Sequence, residues 1–328
     1  MNRTMRAIVN TGPGNVAWTD CPTPAPAAGQ VRIRTAACGV CATDLEMIAG
    51  WSRTGFPSIP GHEWAGVVDE VGPGVEPGLI GQPCVGENVL ADGGEVGFEH
   101  PGGYGQYFLT EARNLHLLPS GFALPTAVLI EPLAVCVRAL RRLRLERQQP
   151  VLILGDGTIG LLTLLLLRAR STEEIVLAGG RPGRLELARQ LGASRAINYH
   201  EAGAELARAI GGPDQRRYPN VIEASGSRSG MQAALDVATQ EGKILIIGDY
   251  GSARADLLWN DVLHRELELI GSNASAGAWP ETMRLATSGQ LPLERLVSRQ
   301  IKAVSFETAL DLARHSRDTV KVVLDWTE

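Results

Sequence analysis

Apolar residues follow two different rhythms along this chain. In the first 130 residues they come in short runs broken by turn residues. Residues 7–9 form one apolar run. Residues 30–35 alternate Val31, Ile33 and Thr35 with Gln30, Arg32 and Arg34, the period of two that marks a half-buried strand. Gly12-Pro13-Gly14, the prolines at 22–26, residues 57–61, Gly72-Pro73-Gly74 and Gly102-Gly103 punctuate the segment. The pattern predicts an irregular, mostly β region. Beyond residue 131 fully apolar strands alternate with helical stretches. Strands are expected at 151–154, 175–178, 221–224 and 243–247, with helices up to 170, at 184–191 and at 231–238. Strands apolar on both faces, separated by helices, predict a parallel sheet covered on each side. The tail changes again. Phe306, Ala309, Leu310 and Ala313 predict an amphipathic helix, and residues 320–324 a strand expected to return to the first region.

Length agrees with a division in two, because 328 residues exceed what one core usually serves. The expected domains are 1–132 with 273–328, and 133–272. Hydrophobic residues make up 44% and charged residues 20%, an ordinary globular balance. A net charge of −5 without a basic run argues against nucleic acid as a partner. Residues 151–167 are the most apolar stretch, but Gly155, Asp156, Gly157 and Gly160 interrupt it, and no membrane span is expected. The N-terminus shows no secretory signal pattern. Five cysteines, odd in number and sparse, do not form a disulfide framework, so a reducing, cytoplasmic setting is expected.

Gly155-Asp-Gly157-Thr158-Ile159-Gly160 follows a predicted strand and opens a predicted helix. In that context the glycines permit a tight turn, close approach of a pyrophosphate and helix–strand packing, with the helix N-terminus facing the phosphates. The second strand ends in Gly179-Gly180-Arg181-Pro-Gly-Arg184, where NAD-binding chains carry an acidic residue for the ribose. Without that carboxylate, and with Arg181 and Arg184 near Gly180, NADP(H) is favoured over NAD(H).

Cys38-Gly-Val-Cys41 lacks the second cysteine pair of a structural zinc site and the βα context of a redox pair. Cys41, His62, Glu63 and Glu131 offer a mixed donor set, which suits catalytic zinc better than a closed structural shell. Taken singly, each has an ordinary alternative: core packing for Cys41, a satisfied turn histidine for His62, a helix-start carboxylate for Glu131.

The motifs together resemble the zinc-containing medium-chain dehydrogenase/reductase family, in its sorbitol and threonine dehydrogenase-like branch. They are Gly39-Val-Cys41-Ala-Thr43-Asp44, Gly61-His62-Glu63, Glu131-Pro-Leu, the glycine fingerprint, Glu223-Ala-Ser225-Gly226 and Lys321-Val-Val-Leu324. The resemblance covers nearly the whole chain, in order. It implies an α/β fold: a Rossmann doubly wound parallel sheet plus a β-rich GroES-like catalytic domain completed by the C-terminal tail. It implies Cys41 and His62 as ligands, Glu131 as a third ligand binding directly or through water, and Glu63 as an alternative ligand. Thr43 then starts a proton relay, Asp44 orients a ligand, and Ser225 and Gly226 join the cofactor site. The implied activity is hydride transfer between a nicotinamide cofactor and a polar secondary alcohol or ketone, of polyol, cyclitol or sugar type. The implied assembly is a homodimer or homotetramer joined at the edge of the Rossmann sheet. A zinc-free enone or quinone reductase and a non-catalytic nucleotide-binding protein are the competing readings.

Two departures from the family stand out. Residues 81–105, where many members hold a structural zinc with four cysteines, contain only Cys84, so one zinc per chain is expected. Glu46 stands where the relay often ends in histidine. Trp51, Phe56 and Trp279 are aromatic candidates for a pocket wall, and His100 is expected to be a loop histidine.

Overall fold

The computed structural model describes residues 4–146, 149–203, 206–211 and 218–327. The chain divides into two compact units, Met1–Glu131 with Leu293–Glu328, and Pro132–Pro292. The second boundary lies 20 residues beyond the expected one. The stretch 273–292 joins the second unit because helix Ile130–Leu143 binds it: Arg138 donates to the Asn273 carbonyl at 2.6 Å, and Arg141 donates to the Gly277 carbonyl and to Glu281, each at 2.7 Å.

The first unit is built on a seven-stranded sheet. Its strands run in the order Val297–Lys302, Lys321–Asp325, Gln30–Gly39, Trp64–Val71, Pro83–Gly86, Leu115–Leu117, with Tyr107–Glu111 also paired to Gln30–Gly39. Thr4–Gly12 and Asn15–Pro22 form a separate antiparallel hairpin. Strand Lys321–Asp325 does return to the first unit, pairing Val323 with Gly39 and Leu324 with Cys38. Ile8, Ile33, Trp64, Phe108, Phe306, Leu310 and Leu324 meet in one core drawn from both ends of the sequence.

The second unit holds six strands: Val151–Leu154, Ile175–Gly179, Arg195–Asn198, Tyr218–Glu223, Ala238–Ile246 and Glu268–Gly271. They lie in the order third, second, first, fourth, fifth, sixth, and every pairing is parallel. The order reverses between the first and fourth strands, the place where open parallel sheets receive ligands at their carboxyl ends. The first strand is buried and wholly apolar, as the sequence pattern requires, and the fourth is buried along most of its length but carries the polar Asn220 and Glu223.

Candidate active site

Cys41 caps the N-terminus of helix Ala42–Ala49, and the helix is held at its start by Asp44. One Asp44 oxygen accepts from the Cys41 N–H at 2.8 Å. The other accepts from the Gly61 N–H at 3.3 Å and meets His62 Nδ1 at 3.2 Å. Asp44 therefore ties two remote loops together. The contact engages Nδ1, which leaves Nε2 as the nitrogen that a metal ion could meet.

The donor atoms of Cys41, His62 and Glu63 lie within 4.8 Å of one another, with His62 and Glu63 buried. A thiol, an imidazole and a carboxylate so placed form a donor set suited to a zinc ion. Burial opposes the charged form of His62, but the charge and hydrogen bond of Asp44, together with Cys41, raise its pKa well above the ordinary value. The Cys41 thiol donates to the Thr43 hydroxyl at 3.6 Å.

Glu131 falls outside this three-residue cluster. It stands in the first turn of helix Ile130–Leu143, where burial pushes its carboxyl up to about 7 against the opposing pull of His62. Cys38 is fully buried behind the cluster, and burial raises its thiol pKa well above the usual range. All five cysteines are free. Glu46 is exposed.

Lys321 was legible only as part of a motif, yet the structure puts it into the site. Its ammonium donates to both Glu63 oxygens, at 2.8 and 2.5 Å, and to the Val40 carbonyl at 3.3 Å. Both side chains are buried, at 3% and 2% exposure. Burial disfavours the ammonium, but Glu63 and Cys41 outweigh it and its pKa is raised. The available signal was a lysine leading the apolar run Val322-Val323-Leu324.

The shortened segment after Cys84 packs directly on the cluster. Gly97 lies so close to the Gly61–His62 backbone that a Cβ would stand 2.6 Å from it, and the Phe98 ring meets the His62 ring at 4.9 Å between centroids. Arg53 covers Phe98 at 4.4 Å and is held by Glu95 and Glu99. His100 pairs with Asp92 at 3.0 Å, a loop contact. Of the aromatic candidates, Trp51 meets Phe98 edge-on at 6.5 Å, whereas Phe56 is 40% exposed. Trp279 is not a pocket residue: it is 1% exposed within the second unit, and its indole donates to Ser275 at 3.1 Å.

In the second unit the fingerprint glycines have separate duties. A Cβ on Gly160 would stand 2.1 Å from the Gly155 carbonyl oxygen, and one on Gly155 2.8 Å from the Ala224 backbone. Nothing lies within 4 Å of a Cβ on Gly157, which caps helix Thr158–Ala169 without a side-chain hydrogen bond. Open space at an uncapped helix N-terminus fits a dinucleotide pyrophosphate. Ile159, in the first turn, accepts at its carbonyl from the Cys136 thiol. Asp156 is buried and accepts from the Gly180 and Arg181 N–H groups at 2.9 and 2.8 Å, and from the Arg181 guanidinium at 2.9 Å. Arg184 lies 3.9 Å from the same carboxylate. Both arginines thus lean on Asp156, a partner not foreseen from sequence. Glu223, fully buried, accepts from Ser225 through its N–H and its hydroxyl, from the Gly226 N–H at 3.2 Å and from the Tyr250 hydroxyl at 2.6 Å.

With the geometry of both units in view, comparison with known proteins assigns the class. Residues 27–120 match the alcohol dehydrogenase GroES-like domain and residues 158–288 the zinc-binding dehydrogenase domain. The D-arabitol-phosphate dehydrogenase of Enterococcus avium is 26% identical over 99% of this chain and 98% of its own. The erythritol/L-threitol dehydrogenase of Mycolicibacterium smegmatis is 27% identical over 98% and 97%. The crystal structure of a putative zinc-binding dehydrogenase from Sinorhizobium meliloti, bound to NADP, superposes with a TM-score of 0.91 at 25% identity, over 98% of this chain and 99% of that one. The chain belongs to the zinc-type medium-chain dehydrogenase family. Within it, the chain is an oxidoreductase of the alcohol dehydrogenase type. No helix among the described residues is long and apolar enough to cross a membrane.

Proposed function

We propose that this enzyme transfers hydride between NADP(H) and a polar secondary alcohol or its ketone, of the polyol type, with one zinc ion per chain. The observation that carries the reading is the convergence of Cys41, His62 and Glu63 within 4.8 Å, with Asp44 fixing the imidazole. Cys41 and His62 would hold the ion, with a carboxylate from Glu131 or Glu63. Bound there, zinc supplies Lewis acidity that makes an alcohol easier to deprotonate.

The remaining chemistry belongs to the side chains. Asp44 keeps the His62 proton on Nδ1 and so leaves Nε2 as a donor of electrons. The Thr43 hydroxyl, beside Cys41, is the first carrier of the alcohol proton. Lys321 balances the Glu63 charge and holds that carboxylate back from the ion, so that Glu63 serves as a ligand only when this pair opens. The uncapped start of helix Thr158–Ala169 receives the pyrophosphate over Gly157. Ser225 and Gly226, at the end of the fourth strand, border the same crevice, with Thr158 and Ile159 opening the helix.

The preference for NADP(H) is supported by Gly179 and Gly180 in place of a carboxylate, and by Arg181, whose side chain is 44% exposed. Its bond to Asp156 poises the guanidinium beside the strand end, where a 2′-phosphate would accept from it bidentately. Both polyols and polyol phosphates are named for relatives of this chain, and either class satisfies this scheme. A homodimer or homotetramer is supported by Leu258, Trp259 and Leu263, at 71%, 66% and 68% exposure, just before the edge strand Glu268–Gly271. The free thiols agree with a reducing, cytoplasmic setting.

Metal analysis of purified protein by mass spectrometry tests the proposal directly. About one zinc per chain is expected, together with loss of turnover in Cys41→Ala and His62→Ala while NADPH binding survives. Near-parental turnover in either variant would overturn the assignment.

A further inference from the structure

The wall beside the metal cluster carries a guanidinium that is already spoken for. Arg53 donates to Glu99 through Nε at 2.8 Å and through a terminal nitrogen at 3.2 Å, and to Glu95 at 2.7 Å. Two carboxylates face one cation, so the group carries a net negative charge. The group is fixed in place by aromatic contacts: Arg53 lies over Phe98 at 4.4 Å and over Trp51 at 5.7 Å. Phe98 in turn lies against His62 at 4.9 Å. A continuous series of contacts therefore runs from the metal-binding imidazole, through Phe98, to Arg53 and its two acids.

An arginine set beside a substrate site ordinarily serves to bind phosphate or carboxylate, because its planar fork matches those anions. Here the fork is occupied. An anionic substrate would have to displace Glu95 or Glu99 and would meet their uncompensated charge. A neutral polyhydroxyl chain meets a more favourable surface: the half-buried Trp51 for its C–H groups, and the partly exposed Glu95 and Glu99 carboxylates, with lone pairs left to accept from its hydroxyls.

We infer that the Arg53–Glu95–Glu99 group is the specificity determinant of this enzyme, selecting uncharged polyols and rejecting their phosphate esters. The inference deepens the proposed function and rests on it.

The test uses the zinc-loaded enzyme with NADP+ and three alcohols: sorbitol, sorbitol 6-phosphate and 2-butanol as a small uncharged reference. For the parent enzyme, kcat/KM for sorbitol is expected to exceed that for the ester by about a hundredfold, the scale of one unscreened like-charge contact. In Glu95→Gln/Glu99→Gln the freed guanidinium is expected to bring that ratio below about fivefold. Glu99→Gln alone removes two of the three Arg53 bonds and moves the ratio in the same direction, should the double variant not fold. A second readout needs no turnover: sorbitol, and not its ester, raises the melting temperature of the parent protein, and the ester does so in the variant. Equal or better use of the ester by the parent enzyme overturns the inference, as does a ratio unchanged by the variants. Turnover of 2-butanol with neither sorbitol nor its ester accepted also overturns it, leaving the oxidoreductase reading intact. Failure of every alcohol in zinc-loaded, NADPH-binding protein overturns the proposed function and the inference with it.

Discussion

Gly157 and Gly160 stand three positions apart in one loop, yet a methyl group would disturb them in opposite ways. At Gly157 φ is −78°, open to any residue, and a Cβ meets nothing. Gly157→Ala is therefore expected to fold with a loss below about 1 kcal/mol, the cost of a poor N-cap. In the proposed scheme its methyl group enters the space taken by the cofactor phosphate, so NADPH affinity should fall at least about tenfold, measured by fluorescence titration. Gly160→Ala would normally favour a helix. Here the Cβ would stand 2.1 Å from the Gly155 carbonyl oxygen, so a loss of about 1–3 kcal/mol is expected in a denaturation curve. Equal effects of the two substitutions on stability would contradict this division of labour. The GxGxxG spacing announced the loop, but it could not say which glycine faces a ligand and which faces the protein. Likewise Arg181 was legible as a charge near the strand end. Its bond to Asp156 was not, because that contact depends on how two βα turns lie side by side in the sheet.

At the level of elements, the strands were legible where burial on both faces leaves no polar positions. Residues 151–154 form a strand over those bounds and the expected strand at 175–178 lies within Ile175–Gly179, whereas the one expected at 221–224 starts three residues earlier and ends one residue sooner, as Tyr218–Glu223. The partners within the candidate site were less legible. Cys41, His62 and Glu63 come from two segments whose spacing carries no geometric information, and only the resemblance joined them. Lys321 comes from a third. It opens a strand whose next three residues are apolar and buried, which gives it a buried position and an ion pair with Glu63. Lys321→Met should leave Glu63 buried without compensation and cost about 3–5 kcal/mol. Adding Glu63→Gln should recover much of that loss, which a double-mutant cycle in urea would detect. Additive losses would mean that the two side chains do not depend on each other. The carboxylates Glu63 and Glu131 show the same limit of sequence reasoning. Both were candidates, but only the fold shows that Glu63 shares the donor cluster and is clasped by lysine.

At the level of the molecule, the first unit is made from both ends of the chain. The C-terminal strands complete its sheet: Lys321–Asp325 pairs with Gln30–Gly39, and Val297–Lys302 pairs in turn with Lys321–Asp325. A chain ending at residue 292 bares that strand edge and loses Phe306, Leu310 and Leu324 from the core. Such a protein is expected to associate through the unpaired edge, giving large species by light scattering. A monodisperse truncated chain would show that the tail is dispensable to the sheet. The boundary at 292, rather than the expected 272, follows from the arginines of helix Ile130–Leu143, whose polar ends find the 271–281 backbone. Apolar periodicity carries no trace of such contacts, so it placed the stretch with the wrong neighbour.

The pairing of Glu63 with a lysine 258 positions later also sets a timetable for biosynthesis. At ribosomal speeds of about 5–20 residues per second, the carboxylate is made roughly tens of seconds before its counter-charge exists. Late in that interval, once residue 292 has been made, the second unit has its full sequence while the first still lacks two strands of its sheet. The second unit should therefore be able to fold before the first, whose sheet waits for residues 297–325. In the proposed scheme, Glu63 can take its place beside Cys41 and His62 with its charge balanced only after the strand Lys321–Asp325 has been made.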